Sequence, residues 1–116
     1  MKHMQNWKPR IAERYAALIS AEPPFFLNPD YTIEDMAAGL GTNRSYASKY
    51  VNEELGISFP RLLNKLRIAH MIRLHHESPE IPIYKLAIMC GFKGAYSFRR
   101  AFYKEYNMKP MEYFKK

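Results

Sequence analysis

The chain of 116 residues has only one cysteine, Cys90, and no apolar run close to the roughly 20 residues that span a membrane. A single cysteine excludes an internal disulfide and a cysteine-based zinc site, and it fits a reducing compartment. No charged and then apolar signal segment opens the sequence. We therefore expect a soluble cytoplasmic module without membrane contact, in which Cys90 is a small core residue.

Recognisable catalytic machinery is also lacking. The sequence shows no nucleophile and base pair, no glycine-rich phosphate loop and no paired acids in a recognisable site. Three histidines, His70, His75 and His76, lack the i, i+4 spacing of a helical metal pair. We therefore expect no enzyme activity, no cofactor and no metal.

Acidic residues are scarce relative to basic ones, with 11 Asp and Glu against 18 Lys and Arg and a net charge of +7. Residues 1–57 carry −1 and residues 58–116 carry +8, which together give that value. A basic balance by itself indicates only a general affinity for anions. Its concentration in the second half predicts where an anion-binding surface lies.

Apolar residues recur at helical spacing through most of the chain, and prolines and glycines interrupt them. This pattern predicts an all-α fold of about seven helices. We expect helices from Pro9 to just before Pro23, from Thr32 as N-cap to about Gly39, over 44–55, from Ser58 as N-cap to about His76, over 83–89, over 94–106, and from Pro110 onward.

The sequence contains an internal repeat. At an offset of 50, Ile33, Met36, Ala37 and Gly41 correspond to Ile83, Leu86, Ala87 and Gly91. At an offset of 51, Ala47, Val51, Leu55 and Gly56 correspond to Phe98, Phe102, Tyr106 and Asn107. Two copies of helix, glycine turn and helix predict two helix-turn-helix units.

Each predicted second helix also has a polar face. Its members are Ser45, Ser48, Lys49 and Asn52 in the first copy, with Arg44 at the helix start, and Tyr96, Arg99, Arg100 and Tyr103 in the second. Arginine can bind guanine with two hydrogen bonds, and serine or asparagine can read polar base edges in the major groove. We expect these residues to face bases, and Lys93 and Lys104 to contact phosphates.

The length of the predicted helix from Ser58 to about His76 sets the distance between the two helix-turn-helix units. About 19 residues at 1.5 Å each span roughly 28 Å, and successive major grooves on one side of B-DNA lie about 34 Å apart. We therefore expect the two recognition helices to enter successive major grooves without dimerisation.

These residues resemble a known family, the DNA-binding domain of AraC/XylS-type transcriptional regulators. In the second copy the resemblance rests on Leu86-Ala87, Gly91-Phe92, Phe98, Arg100, Phe102, Pro110 and Tyr113. In the first copy and the long helix it rests on Ala37, Gly41, Leu55, Gly56, Ser58 and Arg67-Ile68. It implies seven helices, with a first helix-turn-helix part at 1–57, a linker helix at 58–78 and a second part at 79–116, and a family domain over 8–116.

The resemblance implies sequence-specific binding of double-stranded DNA near promoters, usually to activate transcription. It allows RNA polymerase and a regulatory or sensor domain in the full-length protein as further partners, and a nucleoid-associated or membrane-anchored location for that protein. Four positions depart from the family pattern: Pro82 at an N-cap, Tyr96 and Ser97, and Asn107 in place of glycine.

Other interpretations remain open from the sequence. The basic surface also fits a helical protein-interaction module that docks to an acidic partner. A solvated face is the alternative for Arg99, Arg100 and Lys49, for which the repeat favours DNA contact. Tyr96 and Tyr103 fit packing on the domain itself equally well. For Arg67, within an apolar helix, we expect a structural role against an acid or a carbonyl rather than DNA contact.

Overall fold

The computed structural model describes residues 2–115, and it describes side chains from Trp7 to Lys115. Within this range the fold is all-α, as predicted. It consists of seven α-helices, one 3-10 turn at Phe25–Leu27 and a π-helical segment at Tyr50–Glu54. The helices are α1 (Lys2–Ser20), α2 (Ile33–Gly39), α3 (Arg44–Lys49), α4 (Phe59–Glu77), α5 (Ile83–Met89), α6 (Ala95–Tyr106) and α7 (Pro110–Tyr113). None of the helices within 2–115 is long and apolar enough to cross a membrane.

The chain divides into two compact units. Unit 1 contains α1, α2, α3 and the π-helical segment, and it ends at Phe59. Unit 2 contains Phe26–Pro29 and the chain from Pro60 onward. The positive charge of the second half of the sequence therefore belongs entirely to unit 2.

The repeat is confirmed in the first helix of each pair. Helices α2 and α5 each have seven residues, and their bounds are 50 positions apart. A capping box begins α2, because the Thr32 hydroxyl accepts from the Asp35 N–H at 3.1 Å and the Asp35 carboxylate accepts from the Thr32 N–H at 2.9 Å. At the matching position Pro82 begins α5 by its fixed backbone angle, without a side-chain cap.

An arginine from the preceding long helix lies against the turn of each helix pair, at Gly41 in unit 1 and at Gly91 in unit 2. In unit 1, Arg14 of α1 donates to the Leu40 and Gly41 carbonyls at 3.2 and 3.3 Å. In unit 2, Arg67 of α4 donates to the Phe26 carbonyl at 2.7 Å and to Asn28 at 2.9 Å. The structural role predicted for Arg67 is confirmed. Helices α1 and α4 each have 19 residues and each precedes a helix pair.

The N-terminal helix begins earlier than the sequence predicted. The prediction placed its start at Pro9, whereas α1 runs from Lys2 and contains Pro9 in its interior. Contacts around the proline explain the difference, since the Trp7 ring packs 5.0 Å from that of Tyr46 and Lys8 pairs with Glu54 at 3.0 Å. These contacts hold the first turns in place although Pro9 lacks one backbone donor.

The predicted uninterrupted α-helix over 44–55 is also incorrect in its second half. After Lys49 the backbone widens into the π-helical segment, in which the Leu55 N–H donates to the Tyr50 carbonyl at 3.1 Å. Tyr50 and Val51 are buried there, while Leu55 is only half-buried. We infer that burial of these two side chains favours the wider turn, a feature that residue spacing does not reveal.

The core of unit 2 holds α6 against α4 and α5. Its buried members are Ile68, Met71, Leu86, Ala87, Cys90, Phe92, Phe98, Ala101 and Phe102. The Phe98 ring packs edge to face on Phe92 at 5.4 Å and on Tyr84 at 5.6 Å. Tyr106, predicted on the same apolar face, is 39% exposed and stacks on Phe102 at the margin of this core.

The reactivity of the Cys90 thiol reports whether this core is folded. Its thiol is fully buried, and burial raises its pKa from 9.0 to about 11 despite the opposing charge of Arg73. At pH 8 such a thiol forms about a hundred times less thiolate than an unperturbed one. We expect alkylation of the native protein to be at least about 100-fold slower than of the urea-unfolded chain, measured with a thiol reagent. Similar rates in both states would contradict the burial of Cys90.

Candidate nucleic-acid interface

Helix α6 is held in place by the packing of its buried side chains in the core of unit 2. Gly94 is its N-cap in extended backbone, and the Ser97 hydroxyl donates to the Gly94 carbonyl at 3.1 Å. Phe98, Ala101 and Phe102 lie in the core, so the residues between them in helical register face solvent. The predicted recognition residues of unit 2 lie on this outward side.

The outward side forms a surface groove of about 520 Å³, which we call the α6 groove. It is lined by Tyr96, Arg99, Arg100, Tyr103, Lys104, Lys109 and Pro110. All four predicted base-facing residues of α6 and the predicted phosphate ligand Lys104 thus share one surface. The helical spacing of α6 did not indicate Lys109, because this residue comes from the chain segment that returns toward α6. Lys93 is exposed in the loop before α6 and does not line the groove.

Aromatic and cationic groups alternate in the α6 groove. Tyr96 and Tyr103 are 66% and 53% exposed, which is high for tyrosines beside an aromatic core. The guanidinium of Arg100 lies 5.6 Å from the centre of the Tyr96 ring. A cation–π contact of this kind restricts the side chain while leaving its N–H donors free for a ligand.

The cations of the α6 groove have no acidic partner among residues 7–115. The ion pairs in that range involve other residues, and two of them converge on Glu105, whose side chain is only 8% exposed. Glu105 accepts from Arg61 at 3.0 Å and from Lys65 at 3.4 Å. Unit 2 therefore neutralises Arg61 and Lys65 internally and leaves the charge of Arg99, Arg100, Lys104 and Lys109 for an external anion.

The Glu105 cluster makes stability depend on pH. Burial raises the pKa of Glu105, but the hydrogen bond from Arg61 and the charge and hydrogen bond of Lys65 outweigh it, so that the pKa falls below 4.5. A lowered pKa in the folded state adds stability above the unfolded value, and this stability is lost as pH falls through the folded value.

We expect Glu105→Gln to lower the free energy of unfolding at pH 7 by about 1 kcal/mol, a value reduced by the exposure of both cations. Urea unfolding of both proteins at several pH values checks this. The difference between wild type and variant should shrink below about pH 4.5. A difference that stays constant down to pH 3 would show that the carboxylate charge contributes nothing.

In unit 1 the predicted face lies on α3 and the π-helical segment. The Asn43 side chain caps α3 by accepting from the Tyr46 N–H at 2.9 Å. Ser45, Lys49 and Asn52 are exposed and Ser48 is half-buried. The Asn52 amide donates to the Ser48 hydroxyl at 3.3 Å, which joins two of these residues into one polar pair.

Arg44 is arranged differently from the other predicted base-facing residues. Its guanidinium pairs with Glu34 of α2 at 3.3 Å, and both side chains are largely exposed. An exposed pair of this kind is weak, so a stronger anion can displace the carboxylate. The unit 1 face thus presents smaller and fewer cationic groups than the α6 groove.

A helix-turn-helix domain model matches residues 36–116, which is more than half of the chain. A curated relative, an uncharacterised HTH-type transcriptional regulator from Staphylococcus aureus, is 25% identical over 121 aligned residues. That alignment covers 97% of this chain but only 16% of the relative. The chain therefore spans about a sixth of the length of the curated relatives it matches.

Solved structures show the same fold. The C-terminal domain of AraT, a response regulator from Geobacillus stearothermophilus, superimposes with a TM-score of 0.73 at 29% identity, covering 92% of this chain and 84% of that one. A Chromobacterium violaceum transcriptional regulator, described as having an AraC-type DNA-binding domain, gives a TM-score of 0.68 at 18% identity, covering 90% and 88%. With the duplicated helix pairs and the family match, these findings show that the chain belongs to the AraC/XylS-type helix-turn-helix family.

Proposed function

We propose that this chain binds double-stranded DNA sequence-specifically to regulate transcription, with α6 and α3 as its recognition helices. The observation that carries the proposal is the α6 groove, in which four cations without acidic partners alternate with two exposed tyrosines. Unpaired cations on such a surface attract the DNA phosphates, and arginine side chains can read base edges in the major groove.

The residues have distinct roles in this proposal. Arg99 and Arg100 reach base edges, where a guanidinium binds guanine through two hydrogen bonds, and Tyr96 orients Arg100. Tyr103 supplies apolar contact beside them. Lys104 and Lys93 contact phosphates, which position the protein without reading sequence. Unit 1 reads a second site, with mostly shorter side chains. The residues proposed to do so are Ser45, Ser48, Lys49, Asn52 and Arg44.

Further parts of the proposal concern the full-length protein. A relative from Staphylococcus aureus is an HTH-type transcriptional regulator, and AraT is a response regulator. We therefore propose that the full-length protein joins this domain to a regulatory or sensor domain, acts as an activator in contact with RNA polymerase, and is located in the cytoplasm. For this domain we propose a binding role without enzyme activity. That the two recognition helices enter successive major grooves stays a prediction, which the spacing of the two bound motifs tests.

Salt dependence and competition together test the function. We expect affinity for a selected duplex to fall linearly with salt on logarithmic axes, with a slope near −0.9 for each phosphate contacted. We also expect the selected duplex to compete at least about 1,000-fold better than unrelated DNA. A protein-docking module would show no preference among duplexes, and that result would contradict the proposal.

A further inference from the structure

The α6 groove extends beyond the residues that are proposed to read bases. Lys104 follows Tyr96 by eight residues, which corresponds to about 12 Å along an α-helix. The major groove of B-DNA is also about 12 Å wide. If the early residues of α6 lie at base edges, the end of α6 therefore lies at the phosphate wall of the groove.

The chain reverses direction at this end and brings one more cation to the same place. Asn107 ends α6 in the left-handed conformation at φ 57°, and the fully buried Pro110 begins α7. Between them, Lys109 lines the α6 groove together with Lys104. Lys104 and Lys109 thus come from different elements and line the same groove.

The backbone of Lys109 is held by a hydrogen bond, while its side chain is exposed and lies in none of the ion pairs among residues 7–115. The Lys109 N–H donates to the Glu112 carboxylate at 3.0 Å, and the next residue, Pro110, lies in the core. Lys109 is the N-cap of α7, a position usually occupied by a small polar side chain that accepts a hydrogen bond. An ammonium group has only donors and cannot fill that role.

We propose that Lys109 is a phosphate ligand that forms, with Lys104, a phosphate clamp on the DNA strand bordering the groove that α6 enters. This inference rests on the proposed function of the α6 groove. The clamp contacts the backbone alone, so it sets how α6 is aligned on the duplex and adds affinity that is independent of sequence.

Binding of Lys109→Gln, Lys109→Arg and wild type is measured on a selected duplex and on unrelated DNA between 50 and about 300 mM salt. We expect Lys109→Gln to weaken binding about three- to tenfold at low salt, equally on both duplexes, and to reduce the salt slope by about one. Lys109→Arg should retain the wild-type slope, because the positive charge remains.

Arg73→Gln is the matched control, since it removes one exposed cation of unit 2 from α4, outside the α6 groove. If Lys109→Gln and Arg73→Gln give the same slope of log affinity against log salt concentration, the phosphate clamp is overturned. If the wild type itself does not distinguish the two duplexes, the proposed function fails and the clamp fails with it. A loss confined to the selected duplex would show that Lys109 reads sequence, which also overturns the clamp.

Discussion

Gly91→Ala is expected to lower the free energy of unfolding by about 3 kcal/mol or more, enough to unfold much of a marginally stable unit. Gly91 has φ +103°, which is strained for any residue with a Cβ atom. A Cβ there would also lie 2.5 Å from the Phe26 carbonyl oxygen and 2.6 Å from Nε of Arg67. These two atoms form the 2.7 Å hydrogen bond that covers the turn, so the methyl group would break it.

Two other glycines separate the causes of this loss. Gly56 has φ +73° with nothing within 4 Å of an added Cβ, so Gly56→Ala should show the backbone strain alone, about 1 kcal/mol. Gly94 is extended and equally open, so Gly94→Ala should cost about half a kcal/mol as a poorer N-cap. Urea unfolding gives the three values, and labelling of Cys90 reports unit 2 directly. A loss at Gly91 no larger than at Gly56 would contradict the contact with Arg67.

Replacing both Arg99 and Arg100 with alanine is expected to abolish most of the preference for the selected duplex. Each guanidinium that binds a base with two hydrogen bonds supplies about 1 to 3 kcal/mol of discrimination, so each single variant should lose about 5- to 150-fold on its preferred site. The losses on unrelated DNA should be smaller, because there the arginines contribute only charge.

Arg73→Ala again serves as the control, because it removes the same kind of exposed side chain from unit 2 outside the α6 groove. Equilibrium binding on the preferred duplex and on variants with one changed base pair gives both affinity and preference. If the double variant keeps the wild-type preference, α6 is not the helix that reads sequence. Thermal unfolding should change little, because both arginines are exposed and neither lies in an ion pair among residues 7–115.

Features set by local spacing could be predicted from the sequence. The offset of 50 between Ile33 and Ile83 gave α2 and α5 within their observed bounds. Turn glycines and apolar periodicity gave α6 and its buried face, because one helix buries residues at a fixed spacing. The residues of α6 predicted to face bases followed from that face and lie together in the α6 groove.

Features that depend on contacts between distant segments could not be predicted in this way. Lys109 reaches the α6 groove only because the chain reverses after Asn107. Arg14 covers the turn at Gly41 because α1 packs beside it, and nothing near either residue in sequence shows this. The π-helical segment depends likewise on how Tyr50 and Val51 are buried.

Selection of bound duplexes from a random pool by the wild-type chain tests most directly whether the two recognition helices read sequence. We expect enrichment of two short motifs in each bound fragment, of which the stronger disappears when selection is repeated with the Arg99→Ala, Arg100→Ala double variant. Recovery of the pool without any enriched sequence, while binding persists at low salt, would show a basic surface that binds DNA without reading sequence, and it would contradict sequence-specific recognition by this chain.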